Sequence, residues 1–355
     1  MSSPTSNTNP HVANETSSPE IFPRKNKLKN VILTFLKLII AVGLVLWVFL
    51  SGKLDFKSLL VFVDHFFVLL SLVLLWSFGF VCLGGLRWFI LLRGLDLKVT
   101  FFRTLQMHLI GLFFNSALPG AVGGDIVKAV YVMRDNQTVN KTSSLLTVLL
   151  DRIIGLFGMF TIGGIMISFD LQRVLNHPDT RTATITLFCA LLGLFLFFCT
   201  VFIPYKGDRD PFVRFFAFCH GKIPGFSMLS KIYTALRSYR KKPSALIYAW
   251  LLSVVIQLGV LLFFIFVTEV MTHQTIDFIS YSSIFPLGLF TTALPIAPGG
   301  MGIGHVAFEK LYQSIGLSGG ANVFNAYFLG CLCLNALGFI PYIFFRAKQK
   351  TGACL

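Results

Sequence analysis

The sequence predicts an all-α polytopic membrane protein, an inverted repeat of two spans, a broken re-entrant hairpin and one span, giving six full spans and two hairpins. Three observations predict it. Apolar residues make up 55% of the 355-residue chain and charged residues only 13%, where a soluble protein carries about 25% charged. Six apolar runs approach the roughly 20 residues that a helix needs to cross a bilayer. Two further apolar stretches are interrupted by related turns, LPGAVGGD at 118–125 and LPIAPGGMG at 294–302. No segment is polar and long enough for a separate soluble catalytic domain, which excludes a Rossmann or TIM-barrel enzyme.

Taken in order, residues 1–29 form a polar tail whose Ser, Thr, Asn and Pro content predicts disorder. The run at 31–50 begins too late for a secretory signal and lacks a small-residue cleavage site, so it reads as a retained anchor and first span. The second span is 66–86. The stretch 101–133 is the first broken hairpin, because proline and paired glycines stop a helix. Spans follow at 143–169, 182–204 and 244–267. The second hairpin occupies 281–314 and the last span 323–345. Repeat unit 1 therefore covers 30–170 and unit 2 covers 171–350, with a basic loop at 205–242 and a short tail at 351–355. Cys82, Cys189, Cys199, Cys331 and Cys333 lie inside apolar runs and read as small core residues, not a disulfide framework.

The net charge of +15 does not indicate nucleic acid here; it reflects basic loops that orient the spans. Basic clusters fall at 24–29, 87–103, 128–141, in the 205–242 loop and at 346–350, while the opposite loops hold only Lys53, Lys57, Arg173 and Arg181. Both termini and the basic loop are thus expected in the cytoplasm, in the inner membrane of a bacterium. On this parity the first hairpin enters from the cytoplasm and the second from outside. FNSALPGAVGG (114–124) aligns with FTTALPIAPGG (290–300) at an offset of 176, with seven of eleven residues identical. Inverted repeats with broken helices are an architecture of secondary transporters.

Irregular backbone at membrane depth survives only where protein buries it or water reaches it. A Gly-Gly turn opening a helix leaves N–H groups pointing one way, which suits an anion. The first tip offers Pro119, Gly120, Gly123 and Gly124, with Lys128 one turn on and Asp125 able to cap the helix or to compete with an anionic ligand. The second offers Pro295, Pro298, Gly299, Gly300 and Gly302. In both, the glycines serve either ligand approach or tight helix packing. Asp151 and Arg152 lie roughly 13 Å into their span by helical rise, a depth at which charges face a cavity or a partner. Arg152 is either a bidentate phosphate clamp or the partner of Asp125. His305 and Glu309 share a helix face and either meet a headgroup or form a polar seam. His108 reads as a core hydrogen-bonding residue. The segment 231–242 (KIYTALRSYRKK) has the pattern of an interfacial helix on anionic lipid. No Walker loop, HExxH or CxxC motif is present, so neither metal nor cofactor is expected.

LPGAVGGDIVKA, SLLTVLLDRIIGL and LPIAPGGMGIGHVAFE resemble signature segments of the lysylphosphatidylglycerol synthase transmembrane-region family, flippase-like membrane proteins. The resemblance covers about 25–350. In the family's best-understood members a soluble aminoacyl-transferase domain follows this module; here the chain ends soon after the last span, so a flippase-like protein rather than a synthase is implied. Two positions depart from the family pattern: Lys128 stands where Arg is common, and Gly304-His305 where an Arg-Glu pair is common.

The expectation is a lipid transporter taking a membrane phospholipid as substrate, its phosphate held by the first tip, Lys128 and Arg152. Two alternatives stand beside it. One is an intramembrane headgroup or glycosyl transferase using Asp125 or Asp151 as base. The other is a non-catalytic partner of a separate lipid synthase.

Overall fold

Apolar periodicity becomes helix throughout. The computed structural model describes residues 56–117, 123–135, 141–176, 178–203, 233, 236–293 and 302–350, and every regular element among them is helical. The expected first span at 31–50, the 1–29 and 351–355 tails, most of the basic loop and both elbow turns lie outside the described residues. So do Pro119, Gly120, Pro295, Pro298, Gly299 and Gly300.

Two short helical turns lead into α1 (Phe66–Gly94). The first hairpin is α2 (Phe101–Ala117) and α3 (Gly123–Asp135), followed by α4 (Lys141–Phe169), the short α5 (Leu171–Asn176) and α6 (Pro178–Phe202). Next come α7 (Pro243–Thr272), the second hairpin α8 (Phe278–Ala293) and α9 (Ile303–Ser314), then α10 (Gly320–Asn335) and α11 (Phe339–Lys350). Among the described residues, five helical segments are long and apolar enough to cross a membrane: Phe66–Gly94, Ser144–Phe169, Thr180–Cys199, Pro243–Thr272 and Gly320–Phe344. Each matches an expected span. The last combines α10 and α11 through a tight turn at Ala336–Gly338.

One boundary differs. The second span runs to Gly94, not Leu86, because Trp88-Phe89-Ile90-Leu91-Leu92 continues the apolar run past Arg87. Arg87 is therefore an embedded residue and not a flank. Within this span Leu75–Leu83 winds as a π-helix, a winding often found at functional sites. Across from it, the Phe80 carbonyl accepts a hydrogen bond from His108 Nε2 at 2.9 Å, the core hydrogen bond expected of that histidine.

Among the described spans, α4 is the most enclosed by protein and α6 the least, with 56% and 17% of their apolar stretches buried. The largest apolar cluster joins α1, α4, α7, α8, α9 and α10 through Leu72, Phe160, Phe264, Phe285, Phe308 and Phe324. At the α8 end, Thr268, Tyr281 and Tyr312 form a closed ring of hydroxyls at 2.6–3.0 Å. That ring ties both arms of the second hairpin to α7. Asp277 caps α8, and the hydrogen bonds it accepts from the Ser280 hydroxyl and N–H hold its carboxyl below the usual range.

α10 carries an asparagine for each hairpin. Asn325 accepts from His305 Nε2 at 3.1 Å and donates to Ser58 at 2.8 Å. Asn335 accepts from Trp76 Nε1 at 2.9 Å and donates to Ser116, at the end of α2, at 2.9 Å. Asn335→Leu leaves both partners unmatched, so a stability loss of about 1–3 kcal/mol is expected, read as a lowered melting temperature in detergent.

Candidate functional site

Five charged side chains from three spanning or hairpin elements meet inside the bundle. α1 contributes Arg87, α3 contributes Asp125 and Lys128, and α4 contributes Asp151 and Arg152. Arg87 Nε donates to Asp151 Oδ1 at 2.7 Å, and another of its nitrogens donates to Ser253 Oγ of α7 at 3.0 Å. The guanidinium lies against Gly155, one turn along α4 from Asp151, where an added Cβ would sit 3.2 Å away. Arg152 pairs with Asp125. Of the two roles open to Arg152, the structure shows the ion pair.

Lys128 is the unmatched member. It is 4% exposed, and among the described residues it has neither a carboxylate in ion-pair range nor a hydrogen-bond partner. Its ammonium lies 5.3 Å from the Trp88 ring centroid, a cation–π arrangement. Its methylenes run over Gly111 of α2, where any Cβ would fall 2.4 Å from Cε. Both Asp125 and Asp151 act on it electrostatically.

The opening of α3 is closely fitted. Gly124 N–H donates to Asn115 Oδ1 at 2.9 Å, so one of the N–H groups available to an anion already has an acceptor. Asp125, in the first turn, adds a carboxylate there, where the helix dipole favours it. A Cβ on Gly124 would lie 1.9 Å from the Gly111 carbonyl oxygen, so this glycine serves close helix packing. Gly123 begins the helix.

The second tip is built differently. Gly302 sits at φ +80° with open space around it and precedes α9, a conformation that favours glycine. Its N–H donates to His305 Nδ1 at 3.3 Å. Glu309 accepts from Gln313 at 3.1 Å and from the Ala321 N–H at 3.0 Å, and so caps the start of α10. His305 and Glu309 thus face different partners. Neither shares an ion pair or hydrogen bond with the charge cluster among the described residues. No group of three or more His, Cys, Asp or Glu side chains placed to hold a metal occurs among those residues.

Within the basic segment, Tyr233, Leu236 and Tyr239 are buried against protein, and the Tyr239 hydroxyl donates to the Leu91 carbonyl at 2.6 Å. Lys242 pairs with Asp96. These side chains therefore pack on the bundle.

The family model for the lysylphosphatidylglycerol synthase TM region matches residues 34–340. The chain belongs to this family. Within that span lie both hairpins and every member of the charge cluster. Its relatives include a UPF0104 membrane protein of Methanothermobacter thermautotrophicus, 24% identical over 302 residues, covering 78% of this chain and 84% of the relative. Another UPF0104 membrane protein, of Pyrococcus horikoshii, is 24% identical over 303 residues, covering 80% and 88%. No solved structure matches the chain.

Three residues of this family member's cluster were missed by sequence reasoning. Arg87 carried a usable signal, an arginine followed by five apolar residues. Asn115 and Trp88 carried none, since their roles come from α3 crossing α2 and α1.

Proposed function

We propose that this protein moves a phospholipid or related lipid across the bacterial inner membrane as a flippase-like transporter. The buried charge cluster carries the reading. Charge inside a membrane bundle is costly and marks a functional path, and a network that served packing alone would pair every member. A Lys128 ammonium without a carboxylate of its own fits an anionic headgroup.

The hairpins support alternating access by an inverted repeat with both termini cytoplasmic. Arg103, near the start of α2, meets Asp135 at the end of α3 in a bidentate pair of 2.6 and 2.9 Å. The first hairpin thus has both its ends at the pole where Asp96 meets Lys242. The second has both its ends at the other pole, where Tyr281 meets Tyr312 and Arg173 bonds Ser280.

The test is a flip assay in proteoliposomes with headgroup-labelled phospholipid and a membrane-impermeant quencher. Lys128→Met is expected to slow flipping by about tenfold or more while leaving the melting temperature equal or higher, because it removes a desolvated unpaired charge. An unchanged rate removes the mechanism. Headgroup transfer is less well supported, since a general base must reach its proton and both Asp125 and Asp151 are already held by guanidinium groups. Mass spectrometry of lipids from expressing cells is expected to reveal no new lipid product.

A further inference from the structure

We infer that Asp125 is a specificity-determining residue that tunes the buried cluster to a singly charged phosphate diester and against a doubly charged phosphate monoester. The inference rests on the transport reading and names the ligand chemistry of that same site.

The argument is a charge count. Two guanidinium groups (Arg87, Arg152) and one ammonium (Lys128) face two carboxylates (Asp125, Asp151). Both carboxylates are in direct contact with guanidinium, a pairing that favours the ionised carboxylate against the cost of its burial. His108 adds no charge, because Nε2 donates to the Phe80 carbonyl and Nδ1 is buried without a partner among the described residues. Burial acts most strongly on Asp125, Lys128 and Asp151; the charged groups that act on them are one another, the two arginines and, for Asp151, this histidine. The cluster therefore carries one net positive charge.

A second observation points to a ligand. Trp88 is 0% exposed, yet its Nε1–H has no acceptor among the described residues. Buried donors are almost always satisfied. This donor belongs to the same indole whose ring lies under the Lys128 ammonium. An ammonium and an indole N–H are both donors that suit phosphate oxygens. One negative charge brings the site to neutrality, whereas a second leaves an uncompensated charge in a low-dielectric interior. Asp125 sets that limit through Arg152: without its carboxylate the cluster carries two positive charges and the dianion becomes the better match. His108 Nδ1 is an acceptor, so it does not serve the anion.

The experiment measures binding to full-length protein in detergent at about pH 8, where a phosphate monoester carries close to two charges. The probes are phosphatidylglycerol and phosphatidic acid with identical acyl chains, with phosphatidylcholine as the zwitterionic reference. The wild type is expected to prefer phosphatidylglycerol by about tenfold or more. Asp125→Asn is expected to abolish or reverse that preference. Should the single variant not fold, Asp125→Asn combined with Arg152→Gln restores one net positive charge and is expected to keep the wild-type preference. Dimethyl phosphate and inorganic phosphate are the soluble arms. Competition by the diester alone supports the same selectivity for a free ligand, and the reverse order overturns it. Equal binding of the two lipids, or a preference unmoved by Asp125→Asn, overturns the charge selectivity and leaves transport standing. Binding of neither lipid above phosphatidylcholine, itself a zwitterionic phosphate diester, overturns the reading of Lys128 as an anionic-headgroup site, while the flip assay decides transport.

Discussion

Asp151→Ala is expected to cost about 3–5 kcal/mol of stability, the range seen when one partner of a buried ion pair is removed. Arg87 is the reason. Its side chain is only 14% exposed, and its guanidinium is held at 2.7 Å by Asp151. Ser253 supplies one further bond at 3.0 Å, but a hydroxyl carries no counter-charge. Without the carboxylate, three cations would share the interior with Asp125 alone. The measurement is thermal unfolding in detergent followed by size exclusion, with the variant expected to melt far below wild type or to aggregate on extraction. Arg87→Met combined with Asp151→Leu is expected to recover most of the loss, because it removes both desolvated charges together. Arg103→Ala breaks the pair with Asp135, whose side chains are 33% and 20% exposed, and is expected to cost about 1 kcal/mol or less. A similar loss in Asp151→Ala and Arg103→Ala would mean that Arg87 finds water or another partner.

How much of this was legible in the sequence depends on the range over which each feature is determined. The five described spans were legible because twenty consecutive apolar residues have few alternatives to a spanning helix. The Arg152–Asp125 contact was legible as a possibility, since both residues sit in apolar stretches and need partners. Arg87 was counted as a loop residue, on the assumption that arginine at the end of an apolar run marks the interface. The five apolar residues that follow it signal that it is embedded, but its partners lie 64 and 166 residues away, so only tertiary packing reveals them. The i, i+4 spacing of His305 and Glu309 placed them on one face but did not reveal their partners. Those come from Asn325 and from the start of α10, where the following turn returns the chain. The π-helical winding at Leu75–Leu83 has no pattern in its residues that distinguishes it from the α-helix on either side.

Gly124→Ala is expected to disrupt the first hairpin, at a cost of about 3 kcal/mol or more, the upper end for overpacking. The added methyl would meet the Gly111 carbonyl oxygen at 1.9 Å and Asn115 at 2.8 Å. The first of these is backbone, so α2 and α3 must separate. Separation also breaks the hydrogen bond from Gly124 N–H to Asn115, which begins α3, and shifts Asp125 away from Arg152. Gly111→Ala probes the same crossing from the other helix with a different result. Its methyl meets the Lys128 side chain, 2.4 Å from Cε and 2.8 Å from Cγ, and an unbranched side chain rotates where a carbonyl cannot. Gly111→Ala is therefore expected to melt closer to wild type than Gly124→Ala, yet to lose flipping because the ammonium leaves the Trp88 face. Melting curves and flip rates measured on the two variants together separate hairpin integrity from lysine placement. If Gly111→Ala flips lipid at the wild-type rate, the position of Lys128 over Trp88 does not matter for transport.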